Sequence, residues 1–317
     1  MRKSVYSSIF AGLLLLAALF FAVTHFGALT DFLVQLRNIE PFWLMLALFF
    51  QFSTYIALAL VWQQALAYGG VHYSLHKLVP LAIAKLFADQ ALPSGGISGL
   101  AFIVNVFKQS NVSRTLVMGV MLLSILSYYA AYVLVAVASF LILWLYNDIR
   151  QWMVVLAGIF FVVALAVPGT ILLLKKWGAQ EELPAWLLRL PVISGLLETF
   201  ADVPDIMMRK PFLFAKATFF QTIIFLLDAA TLWAMLYSLG NSVSLLLAFP
   251  CFVLASIVAM LSFIPLGIGS FEAACVGLLV MLGIRLETAL AATLLLRGFT
   301  LWLPMIPGLL LTRRALR

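Results

Sequence analysis

The sequence predicts an all-α integral membrane protein: a polytopic helical bundle of about six full spans plus two re-entrant broken-helix hairpins, arranged as an inverted repeat. Three observations predict it. The 317 residues are 65% hydrophobic and 10% charged, with a mean hydropathy of +1.15, which excludes a soluble domain and a disordered chain. Apolar runs of about 20 residues, the length a helix needs to cross a bilayer, recur along the chain. Two apolar stretches are cut near their middles, at Leu92-Pro93-Ser94-Gly95-Gly96 and Ile264-Pro265-Leu266-Gly267-Ile268-Gly269. A helix broken inside lipid frees backbone polar groups that hydrocarbon cannot satisfy, so such breaks persist only where protein or a watery cavity covers them. Paired breaks in corresponding halves of a membrane protein point to a substrate site between them.

The elements follow in order. The run Val5–Leu29 lies behind Arg2 and Lys3. Its length, and the lack of a clean small-residue cleavage site, favour a first span over a cleaved signal peptide. Full spans are expected near 5–28, 42–67, 116–145, 152–174, 212–238 and 288–312. The first broken element covers about 78–107, with halves Leu78–Leu92 and Ile97–Phe107, each too short to cross alone. The second covers about 245–283, with halves Leu245–Ile264 and Ser270–Leu282; its first half is nearly long enough to span. Between the two, Gly178–Lys210 mixes prolines and charges with the apolar groups Trp186-Leu187-Leu188 and Ile193, Leu196, Leu197. It reads as a cytoplasmic loop carrying one or two amphipathic interfacial helices, or as a solvated regulatory loop.

If each broken element returns to the side it entered, the basic residues separate. One side receives Arg2, Lys3, Lys77, Lys108, Arg114, Lys175, Lys176, Arg189, Arg209, Lys210, Arg313, Arg314 and Arg317; the other receives Arg37, Arg150 and Arg285. Both termini are therefore expected in the cytoplasm. The halves also repeat. Pro41-Phe42 and Pro211-Phe212 stand 170 apart, while Pro93 and Pro265, like Asn111 and Gly283, stand 172 apart. Three full crossings separate the two starts, so the repeats are expected to be inverted. The chain reads as one transmembrane domain over 1–317, with repeat one about 41–146, a cytoplasmic loop about 175–210 and repeat two about 211–312.

Glycine permits close approach of a ligand to the backbone. Half-helices starting near Ser94–Ile97 and Gly269–Phe271 would aim free N–H groups at mid-membrane, and helix N-termini bind phosphate or carboxylate. Pro93, Ser94, Gly95, Gly96, Pro265, Gly267, Gly269 and Ser270 are thus substrate-site candidates; the alternative is that the glycines serve close helix packing. Ionisable residues inside spans are functional by default, and here they are Lys85, Asp89, Asp228, Glu272 and Arg297. Lys85 and Asp89, four apart, can pair on one helix face, for structure or for coupling. Glu272 falls in the first turn after the second break, where capping competes with binding as its role. Either Asp228 or Glu272 can offset the charge of Arg297. Arg297 is the candidate for a lipid phosphate, because a guanidinium binds phosphate in a forked geometry. Asp228 or Glu272 is a candidate for a coupling proton or cation.

No catalytic, metal or cofactor site is expected. His25, His72 and His76 lie near membrane edges without a nearby carboxylate or cysteine, and Cys251 and Cys275 lie in apolar runs and read as packing. No Walker loop, nucleophile elbow or metalloprotease helix appears, and nothing suggests nucleic-acid binding. The net charge of +7 stands where anionic lipid headgroups at the cytoplasmic face would meet it.

Ile264-Pro265-Leu266-Gly267-Ile268-Gly269-Ser270-Phe271-Glu272-Ala273-Ala274 resembles the P-x-G-x-G-x-x-E-A signature of the lysylphosphatidylglycerol synthase transmembrane-region family. Gly283-Ile284, Ala289–Ala292, Leu296-Arg297 and Leu301-Trp302-Leu303-Pro304 are similar to that family's closing segment, and Leu92-Pro93-Ser94-Gly95-Gly96-Ile97-Ser98-Gly99 to a form of its first motif. The resemblance runs from about residue 10 to 312. It implies kinship with the flippase half of the multiple peptide resistance factor, which moves aminoacylated phosphatidylglycerol across the bacterial inner membrane. Other members accompany hopanoid, glycolipid or polyprenyl-linked sugar pathways. The soluble synthase domain has no counterpart here, so the resemblance implies a stand-alone lipid translocator without aminoacyl transfer. One departure bears on the cargo: where many members carry Gly-Glu and a nearby Arg in the first motif, this chain has Ser98-Gly99 and no close Arg.

The expected function is flippase-like transport of an anionic or headgroup-modified lipid across the bacterial inner membrane. The expected partners are a phosphate-containing membrane lipid and anionic headgroups, with a second copy of the chain left open. The alternatives are a membrane enzyme acting on polyprenyl-phosphate-linked sugars through Asp228 and Glu272, or a non-transporting partner subunit of a lipid or glycan pathway.

Overall fold

The structure, a computed structural model, describes residues 39–91, 97–110, 112–146, 151–178, 210–262 and 264–315. The regular elements within them are helical: α1 (Pro41–Tyr68), α2 (Leu75–Ala91), α3 (Ile97–Gln109), α4 (Arg114–Leu145), α5 (Gln151–Gly178), α6 (Pro211–Ser238), α7 (Leu245–Leu261), a 3-10 turn (Pro265–Gly267), α8 (Ser270–Met281), α9 (Leu286–Arg297), a π segment (Gly298–Trp302) and α10 (Leu303–Ala315). Pro41–Tyr68, Arg114–Leu145, Met153–Thr170, Pro211–Ser238 and Leu286–Ala315 are each long and apolar enough to cross a membrane. The expected span near 5–28, most of the 175–210 loop and the candidates Pro93, Ser94, Gly95 and Gly96 lie outside the described residues.

The helices of the two broken elements are short. α2 and α7 have 17 residues each, α3 has 13 and α8 has 12. At 1.5 Å per residue the longest reaches about 26 Å, short of the ~30 Å hydrocarbon core. α3 folds back along α2: the Tyr73 ring meets Phe107 at 5.3 Å at one end, and Ser98 Oγ donates to Ala88 O at 2.8 Å at the other. The expected half Leu245–Ile264 stops earlier, at Leu261. There Ser262 Oγ turns back to Ala259 O (2.7 Å) and Pro265 has no N–H to continue the helix.

The two halves share one plan. α1 and α6 each open on a proline at the first helical position, where its missing N–H costs nothing, and each runs 28 residues. Gly70 and Gly240, both left-handed, follow them (φ 80° and 76°). The Val71 N–H bonds to Leu66 O, and that of Asn241 to Leu236 O, both at 3.0 Å. Gln63 Nε2 ties α1 to Tyr73 O at 2.8 Å, and Trp233 Nε1 ties α6 to Val243 O at 2.9 Å. Pro80 and Pro250 occupy the same place in α2 and α7.

α1 and α6 run antiparallel. The Glu40 N–H bonds to Ser238 O at 3.1 Å, and Trp43 packs on Trp233 and Tyr237 with ring centroids 5.3 and 4.7 Å away. Equivalent helices packed head to tail are the geometry of an inverted repeat. The halves also exchange contacts, with α2 packed on α10 and α7 on α4.

Helices in lipid gain little from burying apolar surface against one another, so close packing of small residues holds them together. The buried positions of α1 and α6 accordingly include Ala47, Ala57, Ala59, Ala65, Ala229 and Ala234, while Phe42, Phe49, Phe52, Phe212 and Phe219 face outward. Gly308 on α10 packs close against α2: a Cβ there would lie 3.2 Å from Ile83 O and 2.5 Å from Phe87 Cβ. Gly308→Leu is expected to destabilise the fold by about 1–3 kcal/mol through overpacking. Gly158→Leu, where an added Cβ meets nothing within 4 Å, is the control that should leave thermal unfolding in detergent unchanged.

Candidate functional site

The second break is held open by its backbone. Leu266, Gly267 and Gly269 take left-handed conformations (φ 59°, 62° and 87°), so the chain reverses between α7 and α8. Leu266 is the non-glycine residue among them, and that conformation costs about 1–2 kcal/mol for an L side chain. The cost turns the Leu266 carbonyl toward Arg297, whose Nη2 donates to it at 2.8 Å.

Glu272 joins the break to Arg297. It stands in the first turn of α8, where its Oε2 accepts the Gly269 N–H at 2.6 Å and its Oε1 accepts Arg297 Nε at 2.5 Å. The guanidinium also lies over the Phe271 ring, 4.7 Å from its centroid. The Arg297 and Glu272 side chains are 11% and 21% exposed. Arg297 is thus fixed on three sides, while among the described residues Nη1 has no acceptor. Ser270 Oγ donates to Gly267 O at 3.0 Å and sits 2.9 Å from Ser262 Oγ, tying the two half-helices together at the turn.

The first break repeats this chemistry with other residues. Lys85 Nζ pairs with Asp89 Oδ2 at 2.6 Å, and Asp89 Oδ1 accepts the Gly99 N–H of α3 at 2.9 Å. Gly99 is required by that contact, because a Cβ at this position would overlap the Asp89 carboxylate. Each break therefore carries one carboxylate that caps the following half-helix and holds a cation. The carboxylate comes from the helix before the break in the first case and from the helix after it in the second.

At the second break the Gly269 N–H, expected to face a ligand, is taken by Glu272, and in α3 the Gly99 N–H is taken by Asp89; an uncapped N-terminus surrounded by hydrocarbon is costly, and the chain supplies its own carboxylate. The expected start near Ser94–Ile97 lies largely outside the described residues. Asp89→Ala should remove the α3 cap and strand Lys85. A loss of about 1–2 kcal/mol for the cap alone should appear as a lower unfolding temperature in detergent, with Asp89→Asn milder.

The end of α2 and the second break both meet the closing helix. Thr312 Oγ1 reaches Ala84 O at 3.4 Å and Gly308 packs on Phe87, so α2 runs antiparallel to α10 and its C-terminal end points toward the π segment. That segment, Gly298–Trp302, begins beside Arg297. Its cause is legible: Pro304 has no N–H for the carbonyl four residues back, and its ring would clash there, so the turn widens. The expected span 288–312 falls within Leu286–Ala315, long and apolar enough to cross a membrane, with an irregular turn at its middle.

The structure therefore brings together Gly267, Gly269, Ser270, Glu272 and Arg297, and separately Lys85 and Asp89. It keeps Asp228 apart: that carboxyl faces Gln51 on α1, and the open choice of partner for Arg297 resolves to Glu272. Sequence reasoning missed Phe271 under the guanidinium, the Leu266 carbonyl and the π segment; only the last had a signal, Pro304. Among the described residues no three His, Cys, Asp or Glu side chains gather as a metal site would require.

The sequence matches the family described as Lysylphosphatidylglycerol synthase TM region over residues 8–308. No curated protein matches the chain.

Proposed function

Since the chain belongs to the lysylphosphatidylglycerol synthase transmembrane-region family, we propose that it translocates a phosphate-bearing lipid across the bacterial inner membrane. The observation that carries the proposal is Arg297, placed at a broken helix with Nη1 open among the described residues and with Glu272, Leu266 and Phe271 fixing its plane. A membrane protein spends several kcal/mol to keep a charge at such a place. A guanidinium held on one edge and free on the other presents the fork that a phosphate monoanion fits.

In this mechanism the headgroup enters between the halves, its phosphate takes the open edge of Arg297, and the acyl chains stay in the bilayer. Both hairpins are re-entrant, and rocking of the inverted halves exposes the site to each leaflet in turn. Glu272 keeps Arg297 from binding anions too tightly to release them. Lys85, held by Asp89 at the other break, is the equivalent cation of the first half.

The cytoplasmic end is the basic one. Leu75, Phe107, Val112, Leu213, Leu311 and Ala315 belong to one packed cluster, which gathers the exposed Lys77, Lys108, Arg114, Lys210, Arg313 and Arg314 at the same end of the bundle. Anionic headgroups would meet them there. The proposal includes no chemical step, and the acid–base pair that lipid–sugar chemistry would use has Glu272 already committed to Gly269 and Arg297.

The test is reconstitution of purified protein in vesicles carrying fluorescent phospholipid, aminoacyl-phospholipid or polyprenyl-phosphate probes. Movement of one probe class above that of protein-free vesicles supports translocation and names the lipid. Folded protein that moves none of them overturns it.

A further inference from the structure

Asp228 takes no part in either capped break. It lies in the central third of α6 (Pro211–Ser238), partly buried, with its carboxyl facing the side-chain amide of Gln51 on α1. Tyr55, one turn along α1 from Gln51, and Tyr128 on α4 are the titratable groups within electrostatic reach. Tyr128 is held there by its ring, 5.4 Å from that of Phe225, which precedes Asp228 by one turn of α6. α7 and α9 also pack on α6 and bring no titratable group to the carboxyl. Among the described residues no Lys, Arg or His pairs with Asp228, while each of the other intramembrane carboxylates has its cation.

The neighbouring amide is itself incompletely used. Gln51 is 4% exposed; its Nε2 donates to Thr54 Oγ1 at a long 3.4 Å and its Oε1 has no partner among the described residues. A buried polar atom without a partner is costly and calls for a ligand. One carboxyl, one amide and two phenols fall short of the roughly six oxygens that hard divalent cations take, but they suit a proton, which needs one oxygen to hold it and one to accept it. An ionised carboxylate with no cation is also the costliest state at this depth.

We propose that Asp228 is a proton-binding site at the contact between the two halves of the protein, and that its loading and unloading couples lipid movement to a proton gradient. The coupling rests on the translocation reading; the proton site does not. Asp228 belongs to the second half and Gln51 to the first, on equivalent antiparallel helices, so any movement of one half against the other changes their contact. A ligand shifts a two-state equilibrium by its differential affinity for the two states, and a proton on Asp228 meets that condition. The carboxylate takes a proton from one side in one arrangement, and the carboxyl gives it up to the other side in the second.

Infrared difference spectroscopy of purified wild type across a pH titration tests the site directly. The expected result is a protonated-carboxyl band that persists at neutral pH, is absent in Asp228→Asn, and shifts in frequency in Tyr55→Phe or Tyr128→Phe. A wild-type spectrum without such a band near neutral pH overturns the site, whether or not the variants fold. In vesicles at zero membrane potential, exchange of one proton per lipid predicts about a tenfold transbilayer asymmetry per pH unit of imposed gradient. Asp228→Asn should remove that asymmetry. Wild type that moves lipid without responding to the gradient overturns the coupling and leaves translocation standing. Wild type that moves no lipid but shows the band overturns translocation and leaves the proton site standing.

Discussion

Arg297→Ala is expected to abolish transbilayer movement of lipid by a protein that still folds. The open edge of the guanidinium offers charge-assisted hydrogen bonds to phosphate, worth about 1.5–3 kcal/mol each, so losing one slows movement roughly ten- to hundredfold and losing the fork slows it further. The fold should survive because Glu272 keeps its bond to the Gly269 N–H and stays 21% exposed. Its stranded charge then costs less than the ~3–5 kcal/mol of a fully buried broken pair. Arg297→Lys separates charge from geometry: an ammonium can pair with Glu272 but cannot also hold the Leu266 carbonyl in plane and present a second edge. It should retain stability and lose most of the rate. Rates are measured in vesicles per folded protein, with thermal unfolding in detergent alongside. Wild-type movement by the alanine variant would remove Arg297 from the mechanism.

Gly267→Val should be the most damaging single change for stability. Gly267 has φ 62°, and a Cβ there would lie 2.6 Å from Ala259 Cβ. Left-handed strain of about 1–3 kcal/mol adds to an overpacking cost of about the same size, and a β-branched residue suffers most in that region. The expected loss is about 2–6 kcal/mol, read as a large drop in unfolding temperature. Gly267→Ala should lose less. Adding Ala259→Gly to it should recover the steric part and leave the strain, so partial recovery is the expected signature. Complete recovery would show that the backbone conformation is not demanding. No recovery would show that the contact with α7 is not the cause.

Much of the architecture was legible in the order of residues. Pro41 and Pro211 mark helix starts because proline is favoured at the first helical position, and Pro80 and Pro250, each the sixth residue of its helix, carry the repeat into the hairpins. The break at Pro265–Gly269 was legible because it demands backbone conformations open mainly to glycine. The expected pairing of Lys85 with Asp89 forms, since residues four apart on a helix share a face. Less legible was the other oxygen of Asp89, which goes to Gly99, ten residues on across the break. The sequence suggested open anion sites at both half-helix starts; the structure gives the Gly269 N–H to Glu272 and the Gly99 N–H to Asp89, while residues 92–96 lie outside the described residues.

Composition and periodicity determined that this chain is a helical membrane protein with two interrupted elements, because hydrocarbon forbids most other ways of satisfying a backbone. Local rules also placed the carboxylates and cations near those interruptions. Lys85 and Asp89 pair by local spacing, and only the tertiary structure decided the partner of Arg297. Whether Arg297 answers to Glu272 or to Asp228 depends on which helices touch, and helices in lipid are brought together by the fit of small side chains distributed over the whole chain. That packing set α1 against α6, turned the end of α2 toward the π segment, and left Asp228 facing an amide instead of a cation. The Arg297–Glu272 pair joins residues 25 apart in sequence, on two different helices, and no local pattern encodes that distance.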